Sequence, residues 1–160
     1  MLTRVAVGVD GSEASWAALT WAYEAMDPAG TVLAIDVKNL VQLHLEYAME
    51  AYGGLAFVDD ANAAWEDYAK ELEVQVQQRA EAASVHTTWT TLTAAEGQGG
   101  PAHVFVEEAK RQGAKTLVVG QHRGYSHIDD LIGGFSHAVA VHSHLPTVIV
   151  PPPLLVSPAV

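Results

Sequence analysis

The chain has 160 residues, 49% of them apolar, with a formal net charge of −11 and no cysteine. That length suits a single domain with one substantial core, and the apolar content excludes general disorder. The acidic balance argues against nucleic-acid or anionic-lipid partners, and the lack of cysteine excludes disulfides and thiol catalysis.

Only a short apolar run precedes Asp10, and no stretch approaches a membrane span. Neither a signal peptide nor a transmembrane segment is therefore expected, and a cytoplasmic location is the expectation. Residues 4–10, RVAVGVD, form a brief apolar run closed by Asp-Gly, which predicts a buried strand. A helix is predicted over 12–26, with Ser12 as its N-cap and Trp16, Leu19, Tyr23 and Met26 on one face. Asp27, Pro28 and Gly30 stop it. Residues 31–37 read as a second buried strand. Residues 38–60 are less regular and suggest a short helix broken at Gly53 and Gly54.

A long helix is predicted over 61–84, with Trp65, either Tyr68 or Ala69, Leu72 and Val76 on one face. The β-branched and aromatic stretch 85–93 reads as a strand. Pro101 opens the next helix, where its missing N–H costs little, and Gly113 stops it. A strand over 114–120, a glycine-bearing loop, a helix over about 134–144 and a strand over 145–153 complete the chain. Strand–helix alternation of this kind predicts an α/β fold, a doubly wound five-stranded parallel sheet with helices on both faces, in one domain spanning 1–150. Residues 151–160 form a proline-rich apolar tail.

In such a sheet a ligand binds beyond the carboxyl ends of the strands. The loops after residues 9, 36 and 119 qualify by position. Asp10 ends the first strand, where it can cap the following helix or meet a ligand's sugar or phosphate. Gly120 ends the fourth strand, and Gly133 and Gly134 open the last helix, whose N–H groups and dipole favour phosphate. Five of the eight histidines lie at 122, 127, 137, 142 and 144. His137 and His142 are five apart, which splits them around a helix and points away from a zinc site and toward surface or interface positions. There is no G-x-S-x-G nucleophile elbow and no Walker lysine, so catalysis has little support.

The stretches VAVGVDGSEASWAAL, TLVVGQHRG, GGFS and LPTVIVPP, taken together, resemble the universal stress protein family over essentially the whole chain. The resemblance implies strand order 3-2-1-4-5 and a dimer paired through the last strand, with the C-terminal tail beside it. One branch of that family binds ATP through a G-x2-G-x9-G-[ST] pattern, and another lacks the pattern and does not. Here Gly120 and Gly133 match the outer glycines. Arg123 stands where the second glycine belongs, and Gly134 where a hydroxyl belongs. Phe135 follows, and Ser136 matches a second hydroxyl position. His122 falls where the family often has arginine or histidine. Asp10 and Val37 match nucleotide-contacting positions, Val37 lying against adenine.

Arg123 is the sharpest departure: it either fills the phosphate space or binds phosphate through its guanidinium. Asp129 and Asp130 add negative charge that a magnesium ion held with the phosphates would offset. The resemblance thus implies a small dimeric stress-response protein that binds ATP, ADP or AMP as a regulatory ligand, with at most slow incidental hydrolysis. The alternative is a dimeric interaction protein of the same fold with a degenerate phosphate loop.

Overall fold

The structure, a computed structural model, describes residues 1–39, 56–95, 97–121 and 134–153. The segment around Gly53 and Gly54, the loop 122–133 and the end of the tail, 154–160, lie outside the described residues. The strands are β1 (Leu2–Gly8), β2 (Met26–Asn39), β3 (His86–Ala94), β4 (Thr116–Gly120) and β5 (Thr147–Val150). The helices among the described residues are α1 (Glu13–Ala25), α2 (Ala56–Ala83), α3 (Pro101–Arg111) and α4 (Gly134–His142). The strands form one sheet in the order β3-β2-β1-β4-β5, and every neighbouring pair is parallel. This is the expected doubly wound topology.

Alternation along each strand sends side chains to two separate cores. Val5, Val7, Val9, Val32, Ala34 and Val118 pack with Ala18, Leu19 and Ala22 of α1 and Val76 of α2. Ala6, Leu33, Ile35, Leu117 and Val119 pack on the other face with Phe105 of α3 and Val139 of α4. Both faces of the central strands are therefore buried, which is why those strands read as unbroken apolar runs.

The helix face expected for α1 needs correcting. Ala14, Ser15, Ala18, Leu19 and Ala22 make its buried stripe. Trp16 and Tyr23 are only half-buried at its flanks, and Met26 lies beyond the helix as its C-cap. Small side chains on the sheet side let the helix axis come close, and the large rings are pushed to the edges. Ser12 caps the helix as predicted, its side chain accepting the Ser15 N–H at 3.2 Å. Met26 pairs with Leu2, β2 then bulges through Asp27–Gly30, and regular pairing resumes at Arg4 and Thr31. The Asp27 carboxylate accepts the Ala29 N–H at 2.9 Å inside that bulge.

Helix and sheet approach closely at Gly120. A Cβ added there would overlap the Ala14 carbonyl group and crowd its Cβ. Gly120 is thus required by packing, whatever else it contacts. Gly120→Ala is expected to lower unfolding stability by about 1–3 kcal/mol through forced displacement of α1. Urea denaturation measures this, and an unchanged midpoint would show that the helix yields freely.

Candidate functional site

The strand order reverses between β1 and β4, so the loops leaving their carboxyl ends diverge to opposite faces of the sheet. A cleft opens there, as the topology demands. It measures about 220 Å³ and is lined by Gly8 to Asp10, Ile35 to Val37, Val119 and Gly120, with Ser15, Pro101 and Phe135 closing its sides. Four residues singled out from the sequence, Asp10, Val37, Gly120 and Phe135, thus meet in one cavity.

Each is held by its own local cause. Asp10 follows β1, and its carboxylate accepts the Ser12 N–H at 2.8 Å, which fixes the turn into α1. Gly11 takes a positive φ of 84° in that turn and lies against the Tyr68 hydroxyl and Leu72, so a side chain there would be both strained and crowded. Tyr68 projects from α2, and its hydroxyl donates to the Asp10 carbonyl at 2.8 Å. The choice left open in the α2 pattern is settled here: Ala69 is buried, whereas Tyr68 turns aside to clamp the β1–α1 loop. Phe135, on the first turn of α4, packs tilted against Phe105 with centroids 5.6 Å apart. A Cβ at Gly8 would touch its ring at 3.3 Å, so glycine leaves room for it.

Other predicted residues stand apart. Gly134 is exposed with open space around it. Ser136 is buried on α4 and is not among the residues lining the cleft. His122, Arg123 and Gly133, with Asp129 and Asp130, lie outside the described residues. Among the described residues, no group of three or more histidine or carboxylate side chains is placed to hold a metal ion.

Sequence reasoning missed Asp36. It sits inside β2, only 2% exposed, and lines the cleft beside Val37. Burial pushes its carboxyl up from 3.8 to about 7, the nearby Asp10 charge adds to the rise, and the Val37 N–H pulls the other way. Tyr68 is likewise made harder to ionise, first by desolvation and then by Asp10, Asp36 and Glu71. The available signal was the AIDV stretch, a carboxylate closing an apolar run as Asp10 does. AIDV falls inside the buried strand expected over 31–37, and β2 continues beyond it to Asn39.

The sequence profile of the universal stress protein family matches residues 1–151. The chain belongs to that family. No curated protein sequence matches it, but solved structures do. UspA of Lactobacillus plantarum superposes with a TM-score of 0.67 at 18% identity, covering 93% of this chain and 97% of that one. A universal stress protein solved in complex with cAMP superposes with a TM-score of 0.63 at 19% identity, over 95% and 98% of the two chains. A family member from Arabidopsis thaliana with AMP bound superposes with a TM-score of 0.62 at 17% identity, over 95% and 93%. At such identities the likeness establishes the shared fold. Among the described residues no helix is long and apolar enough to cross a membrane.

The Asp36 carboxyl makes stability depend on pH in a definite direction. Its folded value of about 7 lies above the ordinary 3.8. Between those values the folded state keeps a proton that the unfolded chain has lost, so stability falls as pH rises through the window. Asp36→Asn removes this loss. The variant is expected to gain on the order of 2–4 kcal/mol over the wild type at about pH 8 compared with about pH 4. Chemical denaturation at both values measures it, and parallel wild-type and variant profiles would refute the burial argument.

Proposed function

We propose that this cleft holds an adenine nucleotide, ATP, ADP or AMP, as a regulatory ligand of a homodimeric stress protein. The observation that carries the reading is the meeting of Asp10, Val37 and Gly120 at the switch point of the sheet. Apolar walls from Val9, Ile35, Val37 and Phe135 suit a base, and Asp10 offers an acceptor at the rim. Two structural neighbours carry AMP and cAMP, which supports the adenine class. Phosphate would be taken by the segment from His122 to Gly133 and the start of α4 at Gly134, where backbone N–H groups favour anions. Magnesium would enter with the phosphates through Asp129 and Asp130. The ligand acts by binding, and any hydrolysis is incidental.

The dimer reading rests on β5. It is an edge strand, Ile149 is 43% exposed, and Val150 and Pro153 border an apolar groove with Trp16 and Trp21 of α1. Unpaired edges of this kind invite pairing with a second chain. The second reading, a nucleotide-free interaction protein, is favoured by Arg123 in place of a motif glycine.

Denaturing the purified protein is expected to release adenine nucleotide, or titration calorimetry to show ATP binding below about 1 mM, with and without magnesium. Neither result would leave the second reading. Arg123→Gly then tells the arginine's role: recovered binding marks an obstruction, and weakened binding marks a phosphate ligand. Separately, Ile149→Lys on the edge strand is expected to convert the dimer to monomer by light scattering. A dimer that persists unchanged would place the interface elsewhere.

A further inference from the structure

The cleft contains a polar atom that the described residues do not satisfy. Asp36 Oδ2 is fully buried and has no hydrogen-bond partner among the described residues. Asp36 also lines the cavity, between Ile35 and Val37. A buried acceptor without a donor is expensive, and native folds keep few of them. Here the unsatisfied group is at the wall of the one cavity where a ligand is proposed.

We propose that Asp36 is a specificity-determining residue of the cleft, its Oδ2 accepting a hydrogen bond from a donor of the bound nucleoside, either a ribose hydroxyl or the exocyclic amine. This rests on the adenine-nucleotide reading above and adds a residue and a direction of recognition to it. An ionised carboxylate offers acceptors only. It therefore selects a ligand that brings an N–H or O–H and rejects one that lacks it, because the rejected complex leaves the buried oxygen unpaired.

The surroundings make this contact sensitive to pH. The ionisable groups near Asp36 among the described residues are Asp10 from the β1–α1 loop, Tyr68 from α2 with Glu71 close to it, and Lys38 two residues along β2. The Lys38 ammonium lies 5.1 Å from the Trp65 ring centroid and interacts with Glu66. Burial and then the Asp10 carboxylate favour the protonated acid in the free protein, whereas a ligand donor favours the ion. Nucleotide binding then expels a proton from Asp36, and it strengthens as pH rises through neutrality.

The test is AMP titrated into wild type and Asp36→Asn by calorimetry at about pH 5.5 and pH 8, so that titration of the ligand's own phosphate cancels between the two proteins. Wild-type affinity is expected to gain roughly ten- to thirtyfold over the variant's between these values. AMP analogues lacking the 2′-hydroxyl, the 3′-hydroxyl or the exocyclic amine identify the donor. The analogue without it is expected to bind wild type about tenfold to a hundredfold more weakly. Carbon-13 detection of the Asp36 carboxyl in the wild-type protein gives the same answer without a variant: its titration should move to lower pH when AMP is added.

AMP binding that is equal in both proteins, with parallel pH profiles, overturns the role of Asp36 and leaves the nucleotide reading standing. Relative tightening in acid overturns it too, because the acid would then be the donor. Failure of both AMP and ATP to bind removes the nucleotide reading and this inference together.

Discussion

The contact between Ala14 and Gly120 governs the geometry of this protein's cleft. A parallel sheet must be covered on both faces, and a helix can cover it closely only where its inner face is small. Here Ala14, Ala18 and Ala22 supply that face, and the missing Cβ at Gly120 lets the first turn of α1 rest on the end of β4. The β1–α1 loop is thereby drawn over the carboxyl edge of the sheet. Asp10 and Ser15 reach the cleft as a result, and Tyr68 from α2 holds the loop from the other side. Gly120 is a packing residue first, because the space its missing Cβ would take is filled by Ala14.

The same covering creates the electrostatic tension in the site. β2 is buried along its whole central length, so a carboxylate within it has little access to water. Asp36 occupies that position and faces the charge of Asp10. A folded protein keeps such a group at a cost to stability, and cleft walls are where that cost is most often tied to binding. Walls of valine, isoleucine and phenylalanine around two carboxyl groups form a site that is mainly apolar and reads polarity at few points.

At the opposite flank of α1 the large rings displaced from the helix–sheet contact do other work. Trp16 lies under the Arg79 guanidinium at 4.4 Å and also borders the groove beside β5. One packing choice, small residues inward and rings outward, therefore shapes both the cleft and the apolar edge.

The order of elements and the parallel sheet were legible in the sequence, because apolar runs of strand length alternating with amphipathic helices leave one economical arrangement. So were Ser12 as a cap, the stop before Asp27, and Asp10 and Gly120 at the strand ends, since turn chemistry and glycine placement are local properties; Val37 and Phe135 were pointed to only by the family resemblance. Asp36 was not legible as a residue of the cleft, because a buried strand over 31–37 does not by itself tell which of its side chains meets the cavity or what covers it. Nor was the difference between Tyr68 and Ala69: adjacent residues on a helix straddle its boundary, and only the position of the β1–α1 loop decides which turns inward. Sequence alone determined which elements form and where the chain turns, as both depend on near neighbours. Tertiary structure decided which polar groups are stripped of water, because desolvation is set by residues far apart in the chain that close over the same point.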